Sequence, residues 1–184
     1  SLPNDLYHPL LYWESLLLFP YEVFRVSIGE FPPELDSYSH ILISGSAVSV
    51  LDDTDWMQAE VDLIHESVNK GKVILGSCFG HQIIAQALGG KVEKVDRGWS
   101  LGRQEYELEG QTIALNAWHQ DQVVENAEGA EVMASSEFCE NAVVQVGDHI
   151  LTFQGHPEFV PDYSRDIMNF RREMIGEDVY DSGI

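Results

Sequence analysis

The sequence predicts an α/β protein with a parallel core and antiparallel strands added in its second half. Two observations carry that expectation. In the first half, strand-like and helix-like periods alternate across short joints, which implies a parallel sheet covered on both faces by helices. In the second half, strand-like segments follow one another across turns containing glycine, the pattern of hairpins. With 184 residues the chain is long enough for one sizeable core and short for two, so a single domain over 1–184 is expected.

Each element has its own signal. Residues 7–19, with Leu10, Leu11, Leu17 and Leu18 after Pro9, read as a buried helix. Residues 23–28 read as a strand with Phe24, Val26 and Ile28 on one face, and residues 40–44 as a short apolar strand suited to the middle of a sheet. Asp52, Asp53, Thr54 and Asp55 then offer caps and favourable charge at a helix start, and Met57, Val61, Ile64 and Val68 recur at helical spacing. Gly71 stands where a left-handed C-cap belongs. Residues 72–76 form an apolar strand that runs straight into a helix over 79–88, closed by Gly89-Gly90. Strands over 104–108 and 111–115 flank Glu109-Gly110, and strands over 142–146 and 149–153 flank Gly147-Asp148. After Pro161, the residues Tyr163, Ile167, Phe170 and Met174 mark a closing helix.

Composition narrows the function classes. Ten Lys+Arg against 31 Asp+Glu give a formal charge of −21, a surface that repels phosphate backbones and anionic lipid. Nucleic-acid binding and membrane docking are therefore not expected. No apolar run approaches the roughly 20 residues of a membrane span, and the start lacks a signal-peptide layout, so a soluble, cytoplasmic protein is expected. The two cysteines form at most one disulfide, and the seven histidines are scattered without metal-ligand spacing, so neither a disulfide scaffold nor a metal site is expected.

Chemistry concentrates at two places. Gly76-Ser77-Cys78-Phe79-Gly80 joins an apolar strand to an amphipathic helix, a nucleophile elbow with cysteine at its tip. Side chains at Gly76 and Gly80 would collide with the adjoining strand and helix, and the helix start aims N–H groups and the positive dipole end at the sulfur. The Phe79 N–H points into the same space as half of an oxyanion hole. Alone, this pattern leaves Cys78 as either a nucleophile or a packed cysteine. His156-Pro157-Glu158, following the last apolar strand, decides for the nucleophile. Its spacing lets a carboxylate hold one ring nitrogen while the other faces the thiol.

Gly76-Ser77-Cys78-Phe79-Gly80-His81-Gln82 together with Gln154-Gly155-His156-Pro157-Glu158-Phe159 resembles the class I glutamine amidotransferase family, from about Ser37 to the closing helix. The resemblance implies a three-layer, flavodoxin-like, mostly parallel sheet and a Cys78-His156-Glu158 triad. Ser44-Gly45-Ser46 resembles the family's glycine-bearing loop, so Gly45 or Ser46 would supply the second oxyanion N–H. Gln82 would bind the glutamine substrate, and Trp118-His119-Gln120-Asp121 would cover its α-amino and carboxylate groups. No cofactor is implied. The chain leaves no room for a synthetase domain, so it would either serve a separate synthetase partner or act alone. The run from Cys78 to Ala85, with Gly89-Gly90 and Gly98-Trp99, resembles stand-alone members related to γ-glutamyl peptidases.

Four further points stay with that expectation. Ser46 stands where many members carry a second glycine, which keeps a non-catalytic binding protein as a rival. Members usually open with an apolar strand that residues 1–6 lack, so either the native start is missing or another segment fills the gap. Cys139 is assigned to packing and His81 to packing or support of the site. Arg97, Trp99 and Arg103 border either the pocket or the surface.

Overall fold

The structure, a computed structural model, describes residues 13–52 and 54–183. In chain order its elements are β1 (His40–Ile43), α1 (Asp55–Asn69), β2 (Val73–Ser77), α2 (Phe79–Ala87), β3 (Lys91–Lys94), β4 (Ser100–Leu108) and β5 (Gln111–His119). They continue with β6 (Asp121–Glu125), β7 (Ala130–Ser135), β8 (Val143–Val146), β9 (Ile150–Phe153), α3 (Pro161–Phe170), α4 (Arg172–Ile175) and α5 (Glu177–Gly183). Seven strands form one sheet in the order β1-β2-β9-β8-β7-β4-β5, and β3 pairs with β6 beside it.

The β1–β2 and β2–β9 pairings are parallel, and the other pairings of the large sheet are antiparallel. The expected α/β architecture is present, with the antiparallel additions making up more of the sheet than the parallel core. Parallel order matters most where chemistry is expected. The C-terminal ends of β1, β2 and β9 lie side by side, so the segments after Ile43, Ser77 and Phe153 emerge at one edge.

A core of Ile43, Met57, Ile64, Ile74, Phe79, Ile83, Ile84 and Ile150 joins α1 and α2 to the sheet. Each buried aliphatic side chain of this kind contributes about 1.5–3 kcal/mol. Tyr106, Ala134, Cys139, Ala142 and Val143 fill a second cluster among the antiparallel strands. Leu101, Met168, Ile175 and Tyr180 join the C-terminal helices to β4.

Local signals succeed where the chain closes on itself. Gly71 takes φ +63° after α1, and Glu109 and Gly110 take φ 49° and 78°, as a two-residue turn with two left-handed positions requires. Thr54 is the N-cap of α1, although its side chain makes no capping hydrogen bond.

Four expectations are corrected. Residues 7–12 of the helix expected over 7–19, like the opening strand sought in residues 1–6, lie outside the described residues, and residues 13–19 hold only a short helical turn. In the described part, Trp13 is buried, while Leu18 is 87% exposed. Residues 23–28 form no strand: Val26–Ile28 is a 3-10 turn ended by Gly29 at φ 83°. Alternation alone cannot pair a backbone, and among the described residues β1 has β2 as its one strand neighbour. The β8–β9 connection spans Gly147 to His149 rather than two residues, because Val146 pairs with Ile150. The closing helix marked by Tyr163, Ile167, Phe170 and Met174 is two helices, the first ending at Phe170 and the second carrying an exposed Met174.

Candidate active site

Cys78 leaves β2 with φ 52° and ψ −102°, a conformation that costs a non-glycine residue about 1–3 kcal/mol. Its surroundings hold it there. Its N–H donates to the Phe153 carbonyl at 2.8 Å, and its own carbonyl accepts from the Gln82 N–H at 3.1 Å. The glycines on either side are sterically required. A Cβ on Gly80 would stand 2.1 Å from the Ile43 carbonyl oxygen, and one on Gly76 2.6 Å from Ile84 Cδ1. Cys78 is the N-cap of α2, so Phe79 follows in the first turn, where helical N–H groups have no intrahelical acceptor. The Cys78 Sγ also lies 3.7 Å from the Trp118 carbonyl oxygen, its hydrogen-bond acceptor.

His156 comes from the segment after β9. Its Nδ1 donates to Glu158 Oε1 at 2.8 Å, and the two side chains are almost fully buried. That bond turns Nε2 away from Glu158, and the Cys78 sulfur lies near enough to act on the charge of the ring. Burial by itself disfavours a charged imidazole. The Cys78 sulfur and the Glu158 carboxylate outweigh it and push the His156 pKa up to about 10. Ser77 Oγ, 3.4 Å from Glu158 Oε2, approaches the far side of the carboxylate. A buried imidazolium beside a cysteine sulfur is the arrangement that stabilises a thiolate nucleophile and holds a proton for a leaving group.

The rim comes from three other segments. Gly45 follows β1 so closely against the pair that a Cβ on it would meet His156 Cε1 at 2.8 Å and Cys78 Cβ at 3.6 Å. Ser46 is committed locally, its Oγ accepting from the Val48 N–H at 3.1 Å. Trp118 and His119 end β5, Gln120 makes the joint, and Asp121 begins β6. Gln82 holds that joint: its amide nitrogen donates to the Asp121 carbonyl at 2.8 Å and to Gln154 Oε1 at 3.1 Å. Both donors are thereby engaged, and only its carbonyl oxygen is left to offer a ligand. His119 Nδ1 donates to the Asp121 carbonyl at 3.2 Å. Burial pushes the His119 pKa down to about 4, so the ring is neutral. The Asp121 carboxylate accepts from Ser49 Oγ at 2.5 Å, which ties the Gly45 loop to the start of β6.

A model of the family described as glutamine amidotransferase class-I matches residues 16–173. The chain belongs to the class I glutamine amidotransferase family. It is 38% identical over 164 residues to γ-glutamyl peptidase 4 of Arabidopsis thaliana, covering 80% of this chain and 64% of that one. It is 33% identical over 134 residues to a subunit of the glutamine-hydrolysing GMP synthase of Sulfolobus acidocaldarius, covering 68% of this chain and 70% of that one. A glutamine amidotransferase structure from Methylobacillus flagellatus shares the fold, with a TM-score of 0.78 and 23% identity over 89% of this chain and 69% of that chain. The chain thus spans less than two thirds of the length of the γ-glutamyl peptidase it resembles.

In this amidotransferase-family chain the sequence-predicted residues Cys78, Phe79, Gln82, Gly45, Ser46, Trp118, His119, Gln120, Asp121, His156 and Glu158 meet around one strand edge. Others fall away from it. Arg97 donates to the Glu137 carbonyl, and Arg103 pairs with Glu105 on the surface. Burial pushes the Cys139 thiol up to about 12, as befits a packing cysteine. His81 is buried, with its Nδ1 2.8 Å from Thr152 Oγ1 and its pKa pushed down to about 3 by burial. Sequence reasoning missed Ser49, Ser77, Asn116 and the ring of Phe159. Ser49, Ser77 and Asn116 act on residues that only the fold brings near, and the Phe159 ring reaches His156 through the shape of the turn that carries both.

Proposed function

We propose that this chain is a cytoplasmic, single-domain hydrolase that cleaves glutamine or a γ-glutamyl amide through a cysteinyl thioester. Cys78 is the nucleophile, His156 the acid and base, and Glu158 the orienting carboxylate. The Cys78 thiolate attacks the δ-carbonyl carbon, and the N–H groups of Phe79 and of Gly45 or Ser46 receive the oxyanion, worth roughly 3–4 kcal/mol per donor. His156 Nε2–H then protonates the departing nitrogen as the C–N bond breaks, leaving a γ-glutamyl thioester. His156 next takes a proton from water, which attacks the thioester and releases the γ-carboxylate and the free thiol. Each step draws on this chain's side chains and water. Gln82, Trp118, His119, Gln120 and Asp121 line the place for the substrate's α-amino and carboxylate groups.

The observation that carries this reading is the buried 2.8 Å His156–Glu158 pair set against a cysteine in a positive-φ turn at a helix start. The likeness to γ-glutamyl peptidase 4 supports action without a partner. A second reading, service to a separate synthetase partner, is favoured by the likeness to the GMP synthase subunit.

The test is a panel of glutamine, γ-glutamyl dipeptides and γ-glutamyl amines given to the purified chain. Turnover of at least one of them by the chain alone is expected. Cys78→Ala should lower kcat/KM by at least about 10³-fold. Turnover retained in that variant overturns the mechanism. Silence relieved by adding a synthetase selects the second reading, and silence throughout selects a non-catalytic role.

A further inference from the structure

His156 has a neighbour that the proposed mechanism does not use. The Phe159 ring lies flat on the imidazole, with centroids 3.9 Å apart and planes 10° from parallel. Tyr163 meets Phe159 edge-on from α3, at 4.7 Å and 85°. The turn carrying both rings is clamped by one residue of β5. The Asn116 carbonyl accepts the His156 N–H at 2.7 Å, and Asn116 Nδ2 donates to the Phe159 carbonyl at 2.7 Å.

We propose that Phe159 is a positioning residue for His156, setting the plane of the imidazole toward Cys78 and favouring its protonated form. The proposal rests on the reading of Cys78 and His156 as nucleophile and base. The Nδ1–Glu158 hydrogen bond fixes one edge of the imidazole but leaves the ring able to tilt about that bond. A flat aromatic contact removes the tilt. Its π-face also attracts a cation more than it attracts the neutral ring, and burial strengthens that preference. The titratable groups that face His156 are Glu158 on its own turn, Cys78 at the head of α2 and the neutral His119 at the end of β5. Phe159 is thus an uncharged neighbour that acts in the same direction as the Cys78 sulfur and the Glu158 carboxylate.

The test reads the sulfur without any substrate. Alkylation of Cys78 by iodoacetamide is followed by the mass of its peptide, from about pH 5 to about pH 10, in the wild type, Phe159→Leu, Phe159→Tyr and His156→Gln. Phe159→Leu should slow alkylation at neutral pH by about three- to tenfold and move its rise to higher pH, while Phe159→Tyr restores the wild-type profile. If Phe159→Leu does not fold, Phe159→Met fills the space without a ring and is read in the same way. A Phe159→Leu profile that tracks the wild type while His156→Gln departs from it overturns the proposal. So does a Phe159→Tyr profile that stays with Phe159→Leu. A His156→Gln profile that tracks the wild type removes instead the assignment of His156, and the proposal with it.

Discussion

His156, His81 and His119 are buried to a similar degree, at 5%, 1% and 4% exposure, yet the structure holds them in different states. His81 and His119 face neutral partners, a threonine hydroxyl and a backbone carbonyl, and burial drives their pKa values down to about 3 and about 4. His156 pays the same desolvation, but the Cys78 sulfur and the Glu158 carboxylate reverse its effect. Burial therefore does not decide whether a histidine is a working base. The partner does. The Cys78 sulfur, with the Glu158 carboxylate at 2.8 Å, separates the proposed acid–base histidine from two that burial keeps neutral.

The largest way to break that contrast is Glu158→Gln, which keeps the shape and removes the charge. It should lower kcat/KM by roughly 10³- to 10⁴-fold, as loss of an orienting carboxylate does in comparable triads. Steady-state kinetics on the best substrate of the panel checks it, and a loss below tenfold would mean that Glu158 does not set the state of His156.

Next in size is an opposition in how stability depends on pH. His156 has a folded pKa raised above its unfolded value near 6.5. Its contribution is complete below about 6.5 and lost as pH climbs through about 10. His81 and His119 have lowered folded pKa values, so their contributions are complete above about 6.5 and lost as pH falls through about 3 for His81 and about 4 for His119. Denaturant unfolding over pH should show His156→Gln flattening the alkaline flank and His81→Asn the acid flank. If either substitution flattens the other flank, the assigned states are reversed.

The smallest expected effect is on activity in His81→Asn, where the amide nitrogen can take the place of the ring Nδ1 beside Thr152. Because His81 is neutral and outside the proposed chemistry, kcat/KM should change by less than about tenfold and its pH profile should stay in place. A displaced profile would show that His81 does feed charge to the site.

The parts of the site that were legible in the sequence are those whose constraint is local. Gly76 and Gly80 flank the cysteine within five residues, and their absent side chains answer to atoms of the adjoining strand and helix. His156 and Glu158 are two residues apart, close enough that the chain itself presents the carboxylate to the ring. Hairpin turns such as Glu109-Gly110 were legible for the same reason. The strand expected over 23–28 failed because apolar alternation reports a face and says nothing about whether a neighbour exists to pair with it. Asn116 was invisible because a β5 residue acquires its meaning only by lying beside the segment after β9. The hold of the Gln82 amide nitrogen on Asp121 and Gln154 was likewise not legible, since both partners arrive from other segments of the chain.

By itself, then, the sequence determined the α/β order of elements, the strained cysteine turn and the histidine–carboxylate pair, since each depends on neighbours along the chain. Tertiary structure decided their union. The parallel register that sets Ser77 beside Phe153 brings the turn at Cys78 and the segment carrying His156 to one edge. The Cys78 sulfur beside His156, the Asn116 clamp on its turn and the tie from Ser49 to Asp121 depend on partners that register and burial supply. Their physical cause is distance and desolvation in three dimensions, which no spacing along the chain encodes.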